Sequence, residues 1–478
     1  MAFVKTSVEF FQKTSLNGFG LLYYIRRRKY QRLFWFLFIL MGIGFATYVV
    51  LVTLLNFLHD PTVTELESQN YPIWQIPFPA IAICSVNKLS LFAVRNYLQE
   101  TFNGNNVKIN DGMLKMKLFS GYFDTSSVDF DEAAEFQNEL EQSSPFNTPT
   151  ILKSLAPSCY DLLKICYWND ILTDCNELFF LEETAEGFCC VFNHNKSKEN
   201  MYLIEREGIG VINGLTVVLN TSTIDYYLTD RSTSGFILQI FNPRSFPDPS
   251  VGGVKELFLG TDENIDVQLF VTKQIATDDV RSYAVEKRHC LFEDEHDESY
   301  ELNYTQADCL SKCKFNSMLM LCGCVPYYAP NEYMKFNSNV TYCTLANLEC
   351  LERHRITWQT HRSTDYYTLS NSLQQSLQDA LNCPNCLPLC SYDFYYQRHK
   401  KSKLNKSLHT YRREILNQYL NTTNISLIKL YFSKPFAQLF RKKVAFNWYQ
   451  ILSNIGGVIG ICMGCSFISG FEIIYFSI

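Results

Sequence analysis

The sequence lacks the features that would indicate an enzyme or a nucleic-acid-binding protein. It contains no G-x-S-x-G, Walker, H-E-x-x-H or dinucleotide-binding motif, so no common catalytic site is indicated. Its formal net charge is only −6 over 478 residues, and no basic stripe is interleaved with aromatic residues. Repeats and low-complexity tracts are missing as well. We therefore expect no enzymatic activity, no nucleic-acid partner and no cofactor.

Charged residues are also missing from two long segments near the ends of the chain. Residues 33–57 form an uncharged apolar run of 25 residues, and residues 444–471 form one of 28 residues. The hydrocarbon core of a bilayer needs roughly 20 apolar helical residues. We predict a membrane protein with transmembrane helices at 33–57 and 444–471. The segment between them, 58–443, is predicted to be an α+β domain.

The residues around the first run predict its orientation. It is too long for a cleaved signal peptide, and the stretch 26–32 before it carries five basic residues, which indicates a cytosolic segment 1–32. Arg441, Lys442 and Lys443 would lie outside the second run, but long domains translocate largely regardless of charge. We predict a plasma-membrane protein with both termini cytosolic, including the short end 472–478. Glycosylation sequons occur only in the middle segment, at Asn195, Asn220, Asn303, Asn339, Asn405, Asn421 and Asn424.

Sixteen of the 18 cysteines lie in the middle segment, an even number that suits an oxidising compartment. Cys309 and Cys313 are spaced to share one helical face and to bridge the same neighbouring element. The spacing of Cys322 and Cys324 could also mark zinc, but histidines with ligand spacing are lacking. We predict a disulfide framework and no metal site, and the spacing alone leaves the connectivity open.

Local patterns predict a few elements of the middle segment. Strands are expected at 71–84, 211–220, 234–241 and 426–432. Helices are expected at 89–102, 305–321 and 370–381. In this outline the first and last strands connect directly to the two membrane helices.

The second apolar run is unusually rich in small and polar residues. Ser453, Gly456, Gly460 and Gly464 recur at three- and four-residue steps, and Gly457 adds a further small residue. Such a pattern indicates either close helix packing or a face that lines a pore, where glycine permits exposed carbonyl groups. Two further polar residues, Asn454 near the outer end and Glu472 at the inner end, favour the pore.

Several motifs, in order and spacing, resemble one family. Residues 78–87 (FPAIAICSVN) resemble its signature after the first span, and residues 309–326 carry its C-x3-C and C-G-C-V-P pattern. Residues 187–193 (GFCCVFN) and the run 452–472, with LSNIGG, GCS and a final Glu, resemble further stretches of it. The chain thus resembles the epithelial sodium channel/degenerin family, and within it the insect pickpocket subunits.

The resemblance implies a homo- or heterotrimer of related channel subunits in the lipid bilayer, with Na⁺ as the permeant ion and amiloride as a blocker. It implies a palm, finger, knuckle, β-ball and thumb in the ectodomain. Gly464, Cys465 and Ser466 match the selectivity filter, and Ser453 matches the position where bulky side chains hold the pore open. The disulfides that the resemblance implies are Cys166–Cys175, Cys290–Cys390, Cys309–Cys386, Cys313–Cys383, Cys322–Cys350 and Cys324–Cys343.

The chain departs from the family at a His-Gly pair before the first span, where it has Asn17 and Gly18. Asn cannot titrate as His does, so a non-conducting accessory subunit is a further hypothesis. A pore-less two-span receptor or adhesion protein is another, and the pattern does not match an ATP-gated channel.

Two charged runs are interpreted as solvated faces. The acidic run 293–298 could hold protons or calcium, and the basic run of Arg398, Lys400, Lys401 and Lys403 has no partner that the sequence identifies.

Overall fold

The computed structural model describes residues 10, 13–25, 29–102, 104–143, 145–194, 209–295, 304–330, 333–334, 340–360, 380–405 and 424–477. The chain forms two compact units. The first comprises residues 1–65, 276–289 and 441–478, and the second comprises residues 66–275 and 290–440.

We number fourteen helices and fifteen strands within the described residues. The helices are α1 Phe19–Tyr24, α2 Lys29–His59, α3 Leu91–Thr101, α4 Asn106–Lys115, α5 Phe130–Ser143, α6 Thr148–Leu155, α7 Cys159–Leu162, α8 Cys175–Leu178, α9 Val285–Arg288, α10 Gln306–Cys322, α11 Leu348–Arg353, α12 Arg355–Gln359, α13 Trp448–Met463 and α14 Phe467–Ser477. The strands are β1 Thr62–Pro72, β2 Ala80–Ser85, β3 Asn87–Ser90, β4 Leu163–Trp168, β5 Ile171–Thr173, β6 Phe179–Thr184, β7 Gly187–Phe192, β8 Gly214–Asn220, β9 Tyr226–Thr229, β10 Gly235–Phe241, β11 Lys255–Gly260, β12 Glu263–Ala276, β13 Tyr392–Lys403, β14 Ile425–Phe432 and β15 Phe436–Val444.

The first unit contains the long apolar helix α2. Its 31 residues span about 46 Å at 1.5 Å per residue, which exceeds the roughly 30 Å of a bilayer core. Within the described residues, α2 is the one helix that is long and apolar enough to cross a membrane by itself. The second predicted span consists instead of two shorter helices, α13 and α14.

The second unit is built on two large sheets. The eight-stranded sheet has the order β1-β15-β12-β14-β8-β4-β5, with β13 pairing on β12, and the five-stranded sheet has the order β11-β10-β2-β7-β6. β12 and β14 run parallel, whereas the pairs β10–β2 and β2–β7 are antiparallel. One apolar cluster combines side chains of both sheets, so the sheets share a core.

The motif at 78–87 occupies the centre of this core. All six residues of β2 are buried, because β2 lies between β10 and β7. Ile81 and Ile83 belong to the core between the sheets, whereas Ala80, Ala82 and Cys84 belong to a second cluster. This alternation follows from the two-residue period of a strand, and it explains an apolar run without polar positions.

A helical layer covers a third apolar cluster, which α3, α5, α6 and α10 share. A buried ion pair lies beside it: the Nζ atom of Lys314 on α10 is 2.8 Å from Asp248 Oδ2 and 2.8 Å from Ser250 Oγ. Burial disfavours the ionised form of Asp248, but the Lys314 charge and the hydrogen bonds from Lys314 and Ser250 outweigh it and lower the pKa of Asp248. The pKa of Lys314 is raised, because the attraction of Tyr328 and Asp248 exceeds its desolvation.

Eight disulfides brace the second unit. Cys309 and Cys313 of α10 both bridge to the segment 383–386, which is the arrangement that their spacing predicts. All six pairs implied by the family resemblance are present, namely Cys166–Cys175, Cys290–Cys390, Cys309–Cys386, Cys313–Cys383, Cys322–Cys350 and Cys324–Cys343. Cys84–Cys189 and Cys159–Cys190 complete the set.

Several predicted boundaries differ from the structure. The strand expected at 71–84 is two strands, β1 and β2, separated by a 3-10 turn at Ile73–Gln75. The strand that leads into the second apolar run is β15 and not β14, and Val444 ends that strand instead of beginning a helix. An uncharged run reports composition, and it does not distinguish an apolar strand end from a helix start. The helix predicted at 370–381 falls almost entirely outside the described residues.

Candidate functional site

The candidate site is a break in the second apolar run. α13 ends at Met463, and Gly464 adopts a left-handed conformation with φ of 64° while its N–H donates to Gly460 O at 2.8 Å. α14 begins three residues later, at Phe467. Glycine is the residue that adopts this conformation without a steric penalty, and it commonly ends helices in this way. The residues that interrupt the helix are therefore Gly464, Cys465 and Ser466.

Two serines cap the amino end of α14, directly after the break. The backbone N–H of Ser466 donates to Ser469 Oγ at 3.1 Å, and the N–H of Ser469 donates to Ser466 Oγ at 3.3 Å. This reciprocal exchange is a capping box, which satisfies amide donors that the first turn of a helix leaves unpaired. The three-residue break is thus an ordered turn with defined hydrogen bonds.

The amino-terminal segment packs directly on this turn. Asn17 N–H donates to Met463 O at 2.9 Å and so satisfies a carbonyl group at the end of α13. A Cβ atom at Gly464 would lie 2.4 Å from Asn17 Nδ2, which is closer than real Cβ contacts. Position 464 must therefore be glycine while Asn17 keeps this place.

Ser15 forms a second contact of the amino-terminal segment, this one with α14. Its N–H and its hydroxyl both donate to Glu472 Oε2, each at 3.0 Å. The hydroxyl groups of Ser15 and Ser469 lie 2.7 Å apart, and Ser469 is fully buried. Hydrogen bonds to a carboxylate are stronger than neutral ones, so Glu472 holds Ser15 against α14, while Asn17 holds the same segment against α13.

The residues predicted to line a pore lie on α13, on the amino-terminal side of the break. Ser453, Asn454, Gly456 and Gly457 are exposed, and Gly460 is half-buried. Among the described residues, nothing lies within 4 Å of a Cβ built on Gly456 or Gly457. This face of α13 therefore has no partner within the described part of the chain.

α2 packs against the opposite part of the site. A Cβ built on Gly42 of α2 would lie 3.6 Å from Cys462 O. Gly18 has a φ of 87°, and a Cβ there would lie 3.1 Å from the Ile39 side chain of α2. The pair Asn17–Gly18 thus turns the chain between the break and α2. Cys462 and Cys465 are the free cysteines of the described residues.

The carboxyl end of α2 and the amino end of α13 are joined by short-range contacts of the first unit. Ala445 N–H donates to Pro61 O at 2.8 Å, and Lys443 Nζ lies 2.6 Å from Glu65 Oε2. The rings of Phe57 on α2 and Tyr283 pack edge to face with centroids 6.4 Å apart. The residues that follow α2 and those that precede α13 therefore form one connected layer.

Basic groups lie in the same layer. Lys442 Nζ donates to Arg288 O at 2.5 Å, and Thr277 N–H donates to Lys442 O at 3.0 Å. Burial, together with the neighbouring charge of Arg288, lowers the pKa of Lys442. The Lys442 ammonium group thus donates to a backbone carbonyl group at a site where burial and the charge of Arg288 disfavour its ionised form.

Other predicted residues lie apart from this site, in the second unit. Glu293 Oε1 is 3.3 Å from Arg244 Nη1, and Glu295 accepts from Phe292 N–H, while residues 296–298 lie outside the described residues. Among the described residues, no group of three or more His, Cys, Asp and Glu side chains is arranged to hold a metal ion. Three sequons are described: Asn405 is exposed, and Asn220 and Asn424 are half-buried. The other four, at Asn195, Asn303, Asn339 and Asn421, are outside the described residues.

Sequence reasoning missed Ser15 and Ser469. The only available signal was the Ser466-x-x-Ser469 spacing, which is the spacing of a capping box. Nothing local marks Ser15, because its partner Glu472 lies 457 positions away.

Comparison with known proteins decides the family. A family described as the amiloride-sensitive sodium channel matches residues 10–476. The chain belongs to this family. The family resemblance predicted from the motifs is therefore confirmed.

Relatives in this family share low identity over almost the whole chain. Pickpocket protein 11 of Drosophila melanogaster is 24% identical over 99% of this chain and 76% of its own length. The bile acid-sensitive ion channel of Mus musculus is 22% identical over 98% of this chain and 87% of its own length. The alignment with a cryo-EM structure of a proton-activated chloride channel covers 92% of this chain and 96% of that chain. Its TM-score is 0.30 at 9% identity, which is too low for any conclusion about this chain.

Proposed function

We propose that this chain is one subunit of a trimeric, sodium-selective and amiloride-sensitive channel, which spans the plasma membrane twice and has both termini in the cytosol. The second span would comprise α13 and α14 together. α13 has 16 residues and α14 has 11, or about 24 Å and 16 Å of helix. Neither helix alone reaches across a core of about 30 Å, but the two together are long enough to cross it.

The ordered break at Gly464–Ser466 is the observation that carries this proposal. Irregular backbone within a membrane is tolerated where it is buried in protein or lines water. Here the amino-terminal segment buries one side of the turn through Asn17 and Ser15. The other side is the continuation of the exposed face of Ser453, Gly456 and Gly460, which would meet the same face of two further subunits around the ion path. Rings of backbone carbonyl groups and small polar side chains are the usual means of selecting cations.

Gating by an extracellular chemical or mechanical stimulus is part of the proposal. β1 follows α2 after two residues, and β15 precedes α13 by three residues, so both helices continue covalently from strands. The hydrogen bond from Ala445 to Pro61 and the ion pair of Lys443 with Glu65 join the segment after α2 to the segment before α13 in the first unit. A displacement of these strands would therefore act on α2 and α13 together.

A non-conducting accessory subunit is the second candidate, and Asn17 is the observation that favours it. The Asn17 amide lies against Gly464, the first residue of the proposed filter, and it carries no titratable group. In this form of the hypothesis the chain would contribute one third of a heterotrimeric filter without supporting current alone.

Voltage clamp of cells that express this chain alone tests the proposal. The Ser453→Val variant, with its bulky side chain on the exposed face of α13, should give a sodium current that amiloride blocks and a large organic cation does not carry. Ser453→Ala, which stays small, is the matched control and should not raise the current.

Three outcomes separate the hypotheses. A sodium-selective current supports the pore-forming subunit. No current despite surface expression, restored by a related subunit, supports the accessory subunit. No current in any combination, together with a monomeric surface protein, would support the pore-less receptor.

A further inference from the structure

The carboxyl-terminal half of strand β13 forms a basic strip that has no role in the proposed channel function. Its residues from 398 to 403 are all exposed, and five of the six carry basic side chains. At about 3.3 Å per residue, the strip is about 17 Å long. The basic residues are Arg398, His399, Lys400, Lys401 and Lys403.

β13 lies at an edge of its sheet. It pairs along its whole length with β12, and no other described strand pairs with it. One row of its backbone N–H and C=O groups is therefore without a strand partner among the described residues. Because side chains alternate along a strand, basic groups lie on both sides of this edge.

The acidic residues opposite the strip are committed to other partners. Asp266 is the register neighbour of Lys400, but its carboxylate lies 3.5 Å from Lys429 Nζ. Glu263 is the neighbour of Lys403, and its carboxylate accepts the N–H of Gly260 at 2.8 Å. None of the four lysine and arginine side chains of the strip forms an ion pair with a described acidic residue.

Aromatic rings hold two of these cations without neutralising them. Arg398 lies over the ring of Phe270 at 5.4 Å, and Lys401 lies over the ring of Phe258 at 5.5 Å. A ring face attracts the cation but uses none of its N–H donors in a conventional hydrogen bond. The strip therefore presents ordered donors with a positive charge that no described carboxylate compensates.

We propose that this strip binds a linear sulfated glycosaminoglycan of the extracellular matrix. A line of cations about 17 Å long fits an extended polyanion better than a single small anion. Short lysine- and arginine-rich stretches are typical of heparin- and nucleic-acid-binding sites. The sequon at Asn405 lies two residues beyond the strip and favours the extracellular polymer. The inference rests on the extracellular placement of the second unit in the proposed function, and not on conduction.

Edge protection is the alternative explanation. Lysines on an exposed edge strand prevent pairing with other chains, and no ligand is then needed. The two explanations differ in their consequences, because a guarded edge that loses its charge aggregates, whereas a binding site that loses its charge releases its ligand.

The test measures binding of end-labelled heparin to the full-length chain, purified in mild detergent, over a series of NaCl concentrations. Lys400→Gln/Lys401→Gln/Lys403→Gln removes three charges of the strip. The matched control, Lys108→Gln/Lys117→Gln/Lys153→Gln, removes three charges from exposed lysines elsewhere in the same unit. With the coefficients for nucleic acids, about 0.7 to 0.9 per charge, as the scale, we expect the slope of log affinity against log salt to fall by about 2 to 3 in the strip variant and to stay unchanged in the control.

Three results would overturn the proposal. The first is equal binding by the strip variant and the control. The second is equal binding of heparin and of de-sulfated heparin by the unmodified chain. The third is aggregation of the strip variant on size exclusion with its heparin affinity intact, which is the edge-protection outcome.

Binding to intact cells separates this proposal from the proposed function. Labelled heparin should bind cells that express the unmodified chain and not cells that express the strip variant at equal surface density. Binding to the solubilised chain but not to intact cells would contradict the extracellular placement, and with it the glycosaminoglycan site. Loss of heparin binding with a normal sodium current would show that the strip and the pore are independent.

Discussion

Replacing Gly464 by alanine should disable the break between α13 and α14. A left-handed conformation costs an L-residue about 1–2 kcal/mol. The new Cβ would also lie 2.4 Å from Asn17 Nδ2 and 2.5 Å from Asn17 Cγ. Overpacking of this kind costs about 1–3 kcal/mol. The combined penalty of about 2–5 kcal/mol should abolish most of the current per channel at the surface.

A double-mutant cycle separates the two costs. Asn17→Ala removes all three side-chain atoms that the new Cβ would meet, and it keeps the backbone bond from Asn17 N–H to Met463 O. This substitution should therefore relieve the clash with the new Cβ atom but not the strain of the left-handed backbone at residue 464. The expected coupling of about 1–3 kcal/mol corresponds to a roughly 5- to 150-fold recovery of current per surface subunit. The currents would be measured on the Ser453→Val background and normalised to biotinylated surface protein.

Gly470→Ala is the matched control for this cycle. Gly470 lies within α14, and nothing lies within 4 Å of a Cβ built there. Its alanine variant should keep the current, because alanine is favourable in a helix. The reasoning is refuted if Gly464→Ala behaves like Gly470→Ala, or if Asn17→Ala gives no recovery in the double variant.

Four further predictions concern other described residues. Glu472→Gln should reduce current per surface subunit more than Ser15→Ala, because the second change keeps the backbone bond from residue 15 to the carboxylate; equal effects would contradict this. Cys465→Ser should keep sodium selectivity and abolish block by thiol reagents applied to inside-out patches, and persistent block would place the reactive thiol elsewhere. Lys314→Met should lower surface abundance through a cost of about 3–5 kcal/mol, because it leaves the Asp248 carboxylate buried without its cation. The lowered pKa of Asp248 and the raised pKa of Lys314 keep both side chains charged between about pH 5 and 9. The stabilisation that this ion pair gives the wild-type protein against thermal inactivation should therefore be constant in that pH window. This stabilisation should be lost only as the pH falls through the lowered carboxyl pKa or rises through the raised lysine pKa.

Composition and local pattern predicted some of the fold correctly for clear physical reasons. An uncharged run of 25 residues between Leu33 and Phe57 leaves few structures other than an apolar helix, and it lies inside α2. The helix nevertheless begins at Lys29, because a charge does not end a helix. Cys189 and Cys190 bridge to different partners, Cys84 and Cys159, since neighbouring residues of a strand face opposite sides. No strand was predicted at 187–192, so the pairing of these two cysteines stayed open until the structure showed it.

The contacts that complete the candidate site could not be predicted from local pattern. The glycine at 464 and the capping spacing of Ser466 with Ser469 are local signals of an interrupted helix. The partner of Glu472 is Ser15, at the other end of the chain, and no periodicity connects them. The family resemblance thus singled out Gly464, Cys465 and Ser466, but one continuous helix was predicted over 444–471, so neither the break nor the segment that packs on it was expected.

The nested disulfides around α10 have a consequence for proteolysis. Cys290–Cys390 encloses every residue between its two ends, and Cys313–Cys383 adds a second closed loop inside it. A single peptide-bond cut anywhere between these outer cysteines would leave both fragments covalently joined. Such a nicked subunit would migrate as an intact chain on a non-reducing gel and separate into two pieces only after reduction. A single proteolytic cut would thus alter this part of the protein without releasing any of it.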